Sequence, residues 1–404
     1  MCFSLGSVLR KKGRWLASIL VSFRIRGKMR NWVLITGGAG FIGSSIAIAL
    51  AKRNYEVRVL DSLSPQIHGA NGDSPTRRAV DRVAELIQAD VRDMDAVASA
   101  LKGVNAVIHL AAETETGQSM YEVGKYTDVN IMGTSRLLDL LSSSSRVERV
   151  IVASSRAIYG EGKYVCDNDG PVYPHQRHES DMQVGYFDPR CPRCNGSLHL
   201  VPTDEDSQLH PTSVYGITKQ IQKQLWLLCG ATFGIPAIAL RYQNVYGPGQ
   251  SLTNPYTGIL SIFSTRFRSG GDVNIFEDGK ESRDFVYIDD VVAATIAALE
   301  APPDRTGALN IGSGQPVDVL TIATMLKHEL RASGEVHVTG NYRSGYIRHN
   351  FADIQRARDL LGWEPAVKFE DGLHCFLSWV ESQQVGADGY ERALDELKSR
   401  GMLK

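Results

Sequence analysis

The chain of 404 residues is long enough for two domains, or for one large domain with a substantial hydrophobic core. Its composition, 43% hydrophobic and 22% charged, is ordinary for a globular protein, and a net charge of −1 gives no overall field that would attract nucleic acid. Six cysteines are too few for a disulfide framework at this length, so we expect a cytoplasmic protein with one cysteine cluster to explain.

The first thirty residues differ from the rest of the chain. They carry eight Lys or Arg residues, no Asp or Glu, and a mostly nonpolar run of nine residues at 15–23. That run is well short of the roughly 20 residues that span a bilayer. We interpret residues 1–30 as a disordered basic extension, or as sequence ahead of a true start at Met29, rather than as a membrane-surface anchor.

Short nonpolar segments alternate with helical periodicity from residue 32 onward. The pattern predicts strands at 32–35, 57–60, 104–110, 149–153 and 237–240, and helices at 41–53, 129–141 and 213–233. This alternation indicates βαβ units, and therefore an α/β protein with a Rossmann-like, doubly wound parallel sheet.

Two features divide this pattern into parts. Residues 160–205 are rich in Pro, Gly, Asp and His and hold three of the six cysteines, which indicates an inserted module. We predict a dinucleotide-binding domain at 31–246 that contains this insertion. A smaller, interleaved substrate-binding domain is predicted mainly at 247–404.

A glycine-rich turn follows the first predicted strand and opens the first helix. Gly37, Gly40 and Gly43 would let the backbone approach a pyrophosphate, whose charge the helix N-terminus stabilises. Asp61 ends the second strand, where a carboxylate accepts hydrogen bonds from the adenosine ribose and repels a 2′-phosphate. No arginine is adjacent to it, so we predict NAD rather than NADP as the cofactor.

Tyr215 and Lys219 lie one turn apart on a predicted helix and therefore share a face. A tyrosine ionises near pH 10 (about three units above neutrality) and is a poor base, but a neighbouring ammonium favours its phenolate. Ser154 and Ser155 end a strand that should lie beside this helix, so a hydroxyl can share the same substrate oxygen. These residues predict redox chemistry at a sugar-like carbinol.

The motifs together resemble those of the extended short-chain dehydrogenases/reductases, the NAD-dependent nucleotide-sugar epimerases and dehydratases. The matching segments are TGGAGFIG (36–43), Asp61, Asp90-Val91, HLAA (109–112), Asn130, SSRAIYG (154–160), YGITK (215–219), LRYQNVYGPGQ (240–250) and RDFVYIDD (283–290). The resemblance implies catalysis by Ser155, Tyr215 and Lys219. It also implies that NAD is bound by Gly37, Gly40, Phe41, Ile42, Gly43, Asp61, Asp90, Val91, Ala111, Ala112, Asn130, Tyr215 and Lys219.

The resemblance further implies a nucleoside-diphosphate sugar as substrate, bound by Glu113, Ser155, Asn244, Tyr256, Phe276, Arg283 and Arg348. The two arginines would bind the diphosphate, since a guanidinium binds phosphate oxygens bidentately, and the two aromatic rings would flank the base. The alternatives are surface ion pairs with Asp284 or Asp353 for the arginines, core positions for the rings, and a solvated loop acid for Glu113.

Two positions favour one reaction over another. Arg156 and Ala157 stand where related dehydratases carry Asp-Glu, and they cannot act as acid and base in eliminating water. A 4-epimerase or a ketoreductase is therefore expected, and Asp61 argues against the NADPH that ketoreductases usually use. A non-enzymatic alternative is an NAD-binding sensor or scaffold.

The motif set is most similar to that of a subgroup acting on dTDP-L-rhamnose, and UDP-glucose 4-epimerases are the broader match. We therefore expect epimerisation at C4 through a transient 4-keto sugar, converting dTDP-L-rhamnose to dTDP-6-deoxy-L-talose. Many similar enzymes are homodimers, which implies an interface formed by the helices at 121–142 and 213–233.

Cys191 and Cys194 form a C-x₂-C pair typical of a zinc knuckle, and Cys166 lies 25 residues before the first of them. A tetrahedral structural site needs a fourth ligand, for which the candidates are His175, His178, His199 or an aspartate beside Cys166. Only half of a paired C-x₂-C pattern is present, so bound zinc and free thiols both stay open.

Overall fold

The computed structural model describes residues 31–142, 146–254, 258–343, 345–384 and 390–404. The strands are β1 (Trp32–Thr36), β2 (Glu56–Asp61), β3 (Glu85–Gln88), β4 (Ala106–His109), β5 (Arg149–Ser155), β6 (Tyr164–Cys166), β7 (Gly170–Val172), β8 (His199–Leu200), β9 (Ala237–Tyr242), β10 (Asn244–Tyr246), β11 (Val273–Ile275), β12 (Ser282–Tyr287), β13 (Gly307–Ile311), β14 (Pro316–Asp318), β15 (Val336–Val338) and β16 (His349–Asn350).

The helices are α1 (Phe41–Lys52), α2 (Pro65–His68), α3 (Pro75–Val80), α4 (Met94–Ala100), α5 (Thr116–Ser119), α6 (Val123–Thr127), α7 (Gly133–Ser142), α8 (Glu179–Gln183), α9 (Val214–Phe233), α10 (Ile259–Arg268), α11 (Ile288–Glu300), α12 (Val319–Glu329), α13 (Gln355–Leu361), α14 (Phe369–Ser382) and α15 (Tyr390–Ser399). A π-helical segment, Asp128–Met132, joins α6 to α7, and a 3₁₀ turn, Arg156–Ile158, follows β5.

Seven strands form one parallel sheet in the order β13-β9-β5-β4-β1-β2-β3. The chain proceeds outward from β1 to β3, then returns to β4 on the other side of β1 and continues to β13. The carboxyl ends of β1 and β4 therefore meet where the strand order reverses, which is the usual ligand site of such sheets. The prediction of a doubly wound parallel sheet is confirmed.

Both faces of this sheet are covered by helices. Along β1, Val33 and Ile35 belong to one hydrophobic cluster and Leu34 to another, because successive side chains point to opposite faces. The first cluster includes side chains of α1 and α11, and the second includes side chains of α4, α7 and α9. Burial on both faces explains why the strands appear in the sequence as continuous nonpolar runs.

The second half of the chain contributes to two sheets. Strands β10, β12 and β14, with β16 paired to β12, form a smaller mixed sheet. Strand β13 instead pairs with β9 and forms an edge of the seven-stranded sheet. The two parts are thus interleaved, and the boundary at residue 246 stays a prediction.

The insertion predicted at 160–205 contains a three-stranded antiparallel sheet of its own, β7-β6-β8, and the short helix α8. Residues 1–30 lie outside the described residues, so their interpretation stays a prediction. Within the described part of the chain, no helix combines the length and the apolar character that crossing a membrane requires.

His109, the last residue of β4, is fully buried beneath the ends of the strands. Its Nδ1 lies 2.7 Å from the Thr36 hydroxyl, and its Nε2 lies 3.0 Å from the amide nitrogen of Gln222. The amide donates, so Nε2 must be the unprotonated acceptor. Burial, together with the charge of Lys219, lowers the pKa of His109 to about 3.

A pH dependence of stability follows from His109. Its pKa is depressed in the folded state, so its contribution is complete above about pH 6.5 and is lost as the pH falls toward 3. We expect urea unfolding to show that wild type loses about 2 kcal/mol relative to a His109→Gln variant between pH 7 and pH 5. The exposed His328, changed to Gln, serves as the matched control and should follow wild type. A stability difference between wild type and His109→Gln that does not vary with pH would contradict this assignment.

Candidate active site

A cleft of about 1170 Å³ opens at the carboxyl ends of the central strands. It brings together most of the residues that the sequence predicted for cofactor, catalysis and substrate. The predicted residues that line it are Gly37, Gly40, Phe41, Ile42, Gly43, Asp61, Asp90, Val91, Ala111, Ala112, Glu113, Ser155, Tyr215, Lys219 and Asn244.

The glycine-rich turn between β1 and α1 is packed too closely for side chains. A Cβ on Gly37, whose φ is +68°, would lie 2.8 Å from the amide nitrogen of Ala111, and a Cβ on Gly43 would lie 2.5 Å from the Gly37 carbonyl oxygen. Helix α1 begins at Phe41 with no side-chain cap on its amides. Close backbone and uncapped amides at the positive end of a helix fit a pyrophosphate.

Asp61 is oriented by the backbone on both sides of it. One carboxylate oxygen accepts from the Ala39 amide and the other from the Leu63 amide, each at 2.9 Å. The residue is buried but lines the cleft, and each oxygen has further acceptor capacity for a ribose hydroxyl. Of the described residues that line the cleft, Lys219 alone is a lysine or arginine. This charge pattern fits NAD, because a 2′-phosphate would meet Asp61 without a neighbouring cation.

Asn130 lies behind the cleft rather than in it. The residue is fully buried, and its side chain accepts from the Glu113 amide at 2.7 Å and donates to the Glu113 carbonyl at 3.0 Å and to the Thr218 hydroxyl at 2.9 Å. These bonds join the π-helical segment to the loop after β4 and to α9. The structure therefore differs from the predicted direct contact with the cofactor: Asn130 positions residues that line the cleft.

Tyr215 lies in the first turn of α9, which begins at Val214 with Ser213 as its N-cap. Burial raises the pKa of Tyr215 to about 12, whereas a hydrogen bond with Ser155 and the charge of Arg156 act to lower it. The Ser155 hydroxyl accepts from the Ala157 amide at 3.1 Å, which leaves its own proton for Tyr215 or a substrate oxygen. The geometry thus pairs the serine and tyrosine that the sequence predicted as catalytic.

Lys219 is buried on the same helix and also lines the cleft. Its ammonium donates to the side-chain oxygen of Gln222. Burial lowers its pKa to about 7. That Lys219 stabilises the Tyr215 phenolate stays a prediction, and in this structure the charge of Arg156 also acts to lower the pKa of Tyr215.

A family model matches most of the described chain. The model of the NAD dependent epimerase/dehydratase family covers residues 33–180 and 194–312. The chain belongs to this family. The predicted resemblance and the predicted class of enzyme, an NAD-dependent nucleotide-sugar epimerase, are therefore confirmed.

Relatives extend over nearly the same length. The chain is similar to the dTDP-L-rhamnose 4-epimerase of Burkholderia thailandensis, with 40% identity over 87% of this chain and 95% of the relative. It is similar to the solved UDP-glucose 4-epimerase of Thermotoga maritima with UDP-glucose (TM-score 0.71, 29% identity, 87% and 99% of the two chains). A Bacillus cereus UDP-glucuronic acid 4-epimerase, solved with UDP-glucuronic acid and NAD, gives a TM-score of 0.68 at 26% identity over 87% and 99% of the two chains.

Two arginines of this epimerase lie beside the catalytic pair. Arg156 follows Ser155 directly, and its Nε donates to the Asn244 side chain at 3.3 Å. Burial and the charge of Arg283 lower the pKa of Arg156 to about 9. Among the described residues neither guanidinium forms a direct ion pair, although the charge of Asp284 acts on Arg156. One terminal nitrogen of Arg156 is buried without a hydrogen-bond partner. Two neighbouring arginines, one of them with an unpartnered nitrogen, are suited to an anionic ligand.

Three residues that the sequence analysis did not select lie in the same region. Burial raises the pKa of Glu115 to about 8, and its charge acts on both Tyr215 and Tyr346. Burial also acts to raise the pKa of Tyr346, but the charge of Arg343 and a hydrogen bond with Thr116 outweigh it, so the net shift is downward. The guanidinium of Arg343 donates to the Tyr346 hydroxyl at 2.8 Å. One feature of the sequence could have indicated Glu115, because it lies two residues after Glu113, which was predicted to bind substrate.

Arg348 is not available for a diphosphate as predicted. It is 1% exposed, and its guanidinium pairs with Glu277 at 2.9 Å, Asp188 at 3.0 Å and Asp278 at 2.7 Å. Removing a buried arginine from three carboxylates would leave those charges uncompensated. Arg343, five residues earlier, instead contacts two aromatic residues, Tyr346 and Phe276.

Three further predicted residues have different outcomes. Arg283 is buried, donates to the backbone carbonyls of Ser282 and Arg348 at 2.8 Å, and faces Arg156. Phe276 packs against the C-terminal hydrophobic cluster and carries the Arg343 guanidinium 4.5 Å above its ring, so its contact with a base stays a prediction. Tyr256 lies outside the described residues.

Glu115 and Glu113 provide a matched pair for testing which acid influences the catalytic tyrosine. An ionised Glu115 raises the pKa of Tyr215, so Glu115→Gln should move the alkaline rise of turnover to lower pH by roughly half a unit to one unit. Glu113→Gln should leave that limb in place, because the Glu113 carboxylate pairs with Lys125 at 3.0 Å. The measurement is the pH dependence of turnover of the nucleotide-sugar substrate. Equal shifts in both variants would contradict the assignment.

Proposed function

We propose that this protein inverts the C4 stereocentre of a nucleoside-diphosphate sugar, and that it interconverts dTDP-L-rhamnose and dTDP-6-deoxy-L-talose. The observation that carries the reaction is that Ser155, Tyr215 and Lys219 line the same glycine-rich nucleotide cleft. The sugar is supported by 40% identity, over 87% of the chain, to the dTDP-L-rhamnose 4-epimerase of Burkholderia thailandensis.

The residues at the cleft divide the work of the reaction. NAD⁺, when bound by the glycine-rich turn and Asp61, supplies a hydride acceptor that later returns the hydride. Tyr215 removes the proton of the C4 hydroxyl and restores it afterwards, and Ser155 hydrogen-bonds the same oxygen. Arg156 stabilises the phenolate, and the partly buried position of Ser155 and Tyr215 limits the access of water to the reacting oxygen. The cycle ends in its starting redox state, so no external oxidant is consumed.

Elimination of water is disfavoured by the side chains beside the catalytic serine. The positions that carry Asp-Glu in similar dehydratases hold Arg156 and the buried Ala157. The charge of Arg283, which lies on β12 of the smaller sheet, also acts on Arg156, so two cations adjoin this side of the site. We infer that these cations bind the diphosphate. Rotation about the bonds of the bridging oxygens then lets the sugar turn either face toward the nicotinamide.

A second candidate substrate is a nucleoside-diphosphate uronic acid. Arg156 adjoins the catalytic pair and has a buried, unpartnered terminal nitrogen, which would suit a sugar carboxylate. The Bacillus cereus relative was solved with UDP-glucuronic acid. Arg156→Gln should slow turnover of both candidates, because Arg156 also acts on Tyr215, but the uronate should lose more since its carboxylate contact is lost as well.

We also infer that two copies of the chain associate through the faces of α6, α7 and α9. Helices α6 and α9 expose the large nonpolar side chains Val123, Ile217, Leu228 and Phe233, and the π-helical segment that leads into α7 exposes Met132. Leu228 is 69% exposed in the middle of a twenty-residue helix. Burial of such a stripe against its own copy would remove nonpolar area from water symmetrically.

The substrate is tested on purified protein without added NAD. By NMR we expect dTDP-L-rhamnose to yield its C4 epimer, whereas UDP-glucose and UDP-glucuronic acid should stay unchanged. Tyr215→Phe should lower turnover about a thousandfold while bound NAD is retained, since a general base is lost and the nucleotide site is not. Tyr126→Phe, which alters a buried tyrosine bonded to the Thr114 carbonyl, is a control for a lost hydroxyl.

The outcomes test the type of reaction and the identity of the sugar separately. Turnover of UDP-glucose or UDP-glucuronic acid alone would keep the epimerase and replace the sugar. No epimer from any of the three sugars, even with NAD added, would overturn the proposed function.

Association is tested by Leu228→Glu. A charge at the centre of the proposed interface should convert the dimer to a monomer in analytical ultracentrifugation, because an unpaired carboxylate would be buried. Val184→Glu places the same charge on an equally exposed nonpolar residue outside these helices and should stay dimeric. A wild-type protein that is monomeric at micromolar concentration would contradict the interface.

A further inference from the structure

The insertion brings four potential metal ligands to one point. Cys166 ends β6, Asp169 lies in the turn before β7, and Cys191 and Cys194 lie in the turn that precedes β8. The three sulfurs and a carboxylate oxygen all lie within 4.8 Å of one another. Asp169 is thus the residue that the structure adds to the three cysteines.

Three of the six separations among these atoms lie close to the edges of a zinc-centred tetrahedron. Zinc with Zn–S of about 2.3 Å and Zn–O of about 2.0 Å holds two sulfurs about 3.8 Å apart, and a sulfur and an oxygen about 3.5 Å apart. The observed distances are 3.4 Å for Cys166 to Cys194, 3.6 Å for Cys166 to Asp169, and 3.1 Å for Cys191 to Asp169. A sulfur pair at 3.4 Å is also too far apart for a disulfide, which needs about 2.05 Å.

One backbone amide donates to a sulfur of the cluster. The Arg193 amide, two residues beyond Cys191, points to the Cys191 sulfur at 3.5 Å. Such a bond stabilises a thiolate, which is the form of cysteine that binds a cation.

The candidate histidines lie elsewhere. His199 pairs with Asp167 at 3.3 Å on the surface, and His175 stacks on His210 at 5.1 Å. His178 precedes α8 as its N-cap. Asp169 is therefore the candidate fourth ligand among the described residues.

We propose that Cys166, Asp169, Cys191 and Cys194 bind one structural zinc ion. Three thiolates and one carboxylate form a closed tetrahedral set, and soft sulfur ligands favour zinc over magnesium or calcium. All four positions are filled by side chains, so the ion has no open position for a substrate. This inference does not depend on the proposed epimerisation.

The zinc would hold both ends of the segment between Cys166 and Cys191. Two ion pairs join this segment to the second half of the chain: Arg177 pairs with Glu277 at 2.8 Å, and Asp188 pairs with Arg348 at 3.0 Å. Glu277 follows Phe276, the ring beneath Arg343. The ion would therefore fix the segment between Cys166 and Cys191, which supports the substrate side of the cleft.

The first test is elemental analysis of the full-length protein purified without chelator. We expect about one zinc per chain, falling to below about a tenth in Cys194→Ser and markedly lowered in Asp169→Ala. Cys229→Ser removes a cysteine from the end of α9 and is the matched control that should keep its zinc. A zinc content of a tenth or less in wild type would overturn the proposal, as would unchanged zinc in Cys194→Ser.

The ligand set is tested by cobalt substitution. Cobalt in the exchanged protein should show the visible absorption of a tetrahedral ion and the near-ultraviolet bands of thiolate ligands, both lost in Cys194→Ser. Octahedral spectra without thiolate bands would contradict the site. So would a disulfide between Cys166 and Cys194, shown by a mass two daltons below the reduced value in intact-protein mass spectrometry and by peptide mapping that assigns the bond to these two residues. These measurements test the zinc site independently of whether the protein turns over any nucleotide sugar.

Discussion

A buried hydrogen-bonded cluster beneath the cleft fixes the position of the catalytic helix relative to the sheet. The Lys219 ammonium donates to the Gln222 oxygen, which orients the Gln222 amide nitrogen toward His109 and the Thr134 hydroxyl. His109 in turn meets the Thr36 hydroxyl at the end of β1. The cluster thereby connects β1, β4, α7 and α9, and it requires a neutral imidazole because the amide already supplies the proton. The register of Tyr215 against Ser155 depends on these contacts.

Charge is concentrated near the catalytic pair although the chain as a whole is almost neutral. Arg156 and Arg283 act on one another, and Arg343 and Glu115 act on Tyr346. Burial strengthens each of these interactions, since water no longer screens them. An anionic substrate would relieve the repulsion between the first two arginines. Binding energy and the activation of Tyr215 are therefore linked through Arg156.

The sequence was informative where a function rests on a local pattern. The strands of the seven-stranded sheet, the glycine-rich turn and Asp61 depend on residues adjacent in the chain or on the end of a strand, so periodicity and motif sufficed. Asn130, Arg348 and Glu115 depend on packing between distant segments. A motif shows that Asn130 is in the right segment, but only the fold shows that its amide is consumed by Glu113 and Thr218. Asp169 became a candidate ligand because two turns, 22 residues apart, meet in space.

The return of β13 to the seven-stranded sheet has a consequence for synthesis of the chain. The predicted cofactor residues of the glycine-rich turn, together with Asp61, Asp90 and Val91, precede residue 130, yet β9 gains its outer neighbour only when residues 307–311 are available. More than three quarters of the polypeptide must leave the ribosome before that edge is paired. Until then the nascent protein exposes an unpaired parallel strand, which is a template for wrong pairing with other chains. Completion of the sheet therefore requires translation of the first part of the predicted substrate-binding domain, and the two halves mature together rather than in sequence.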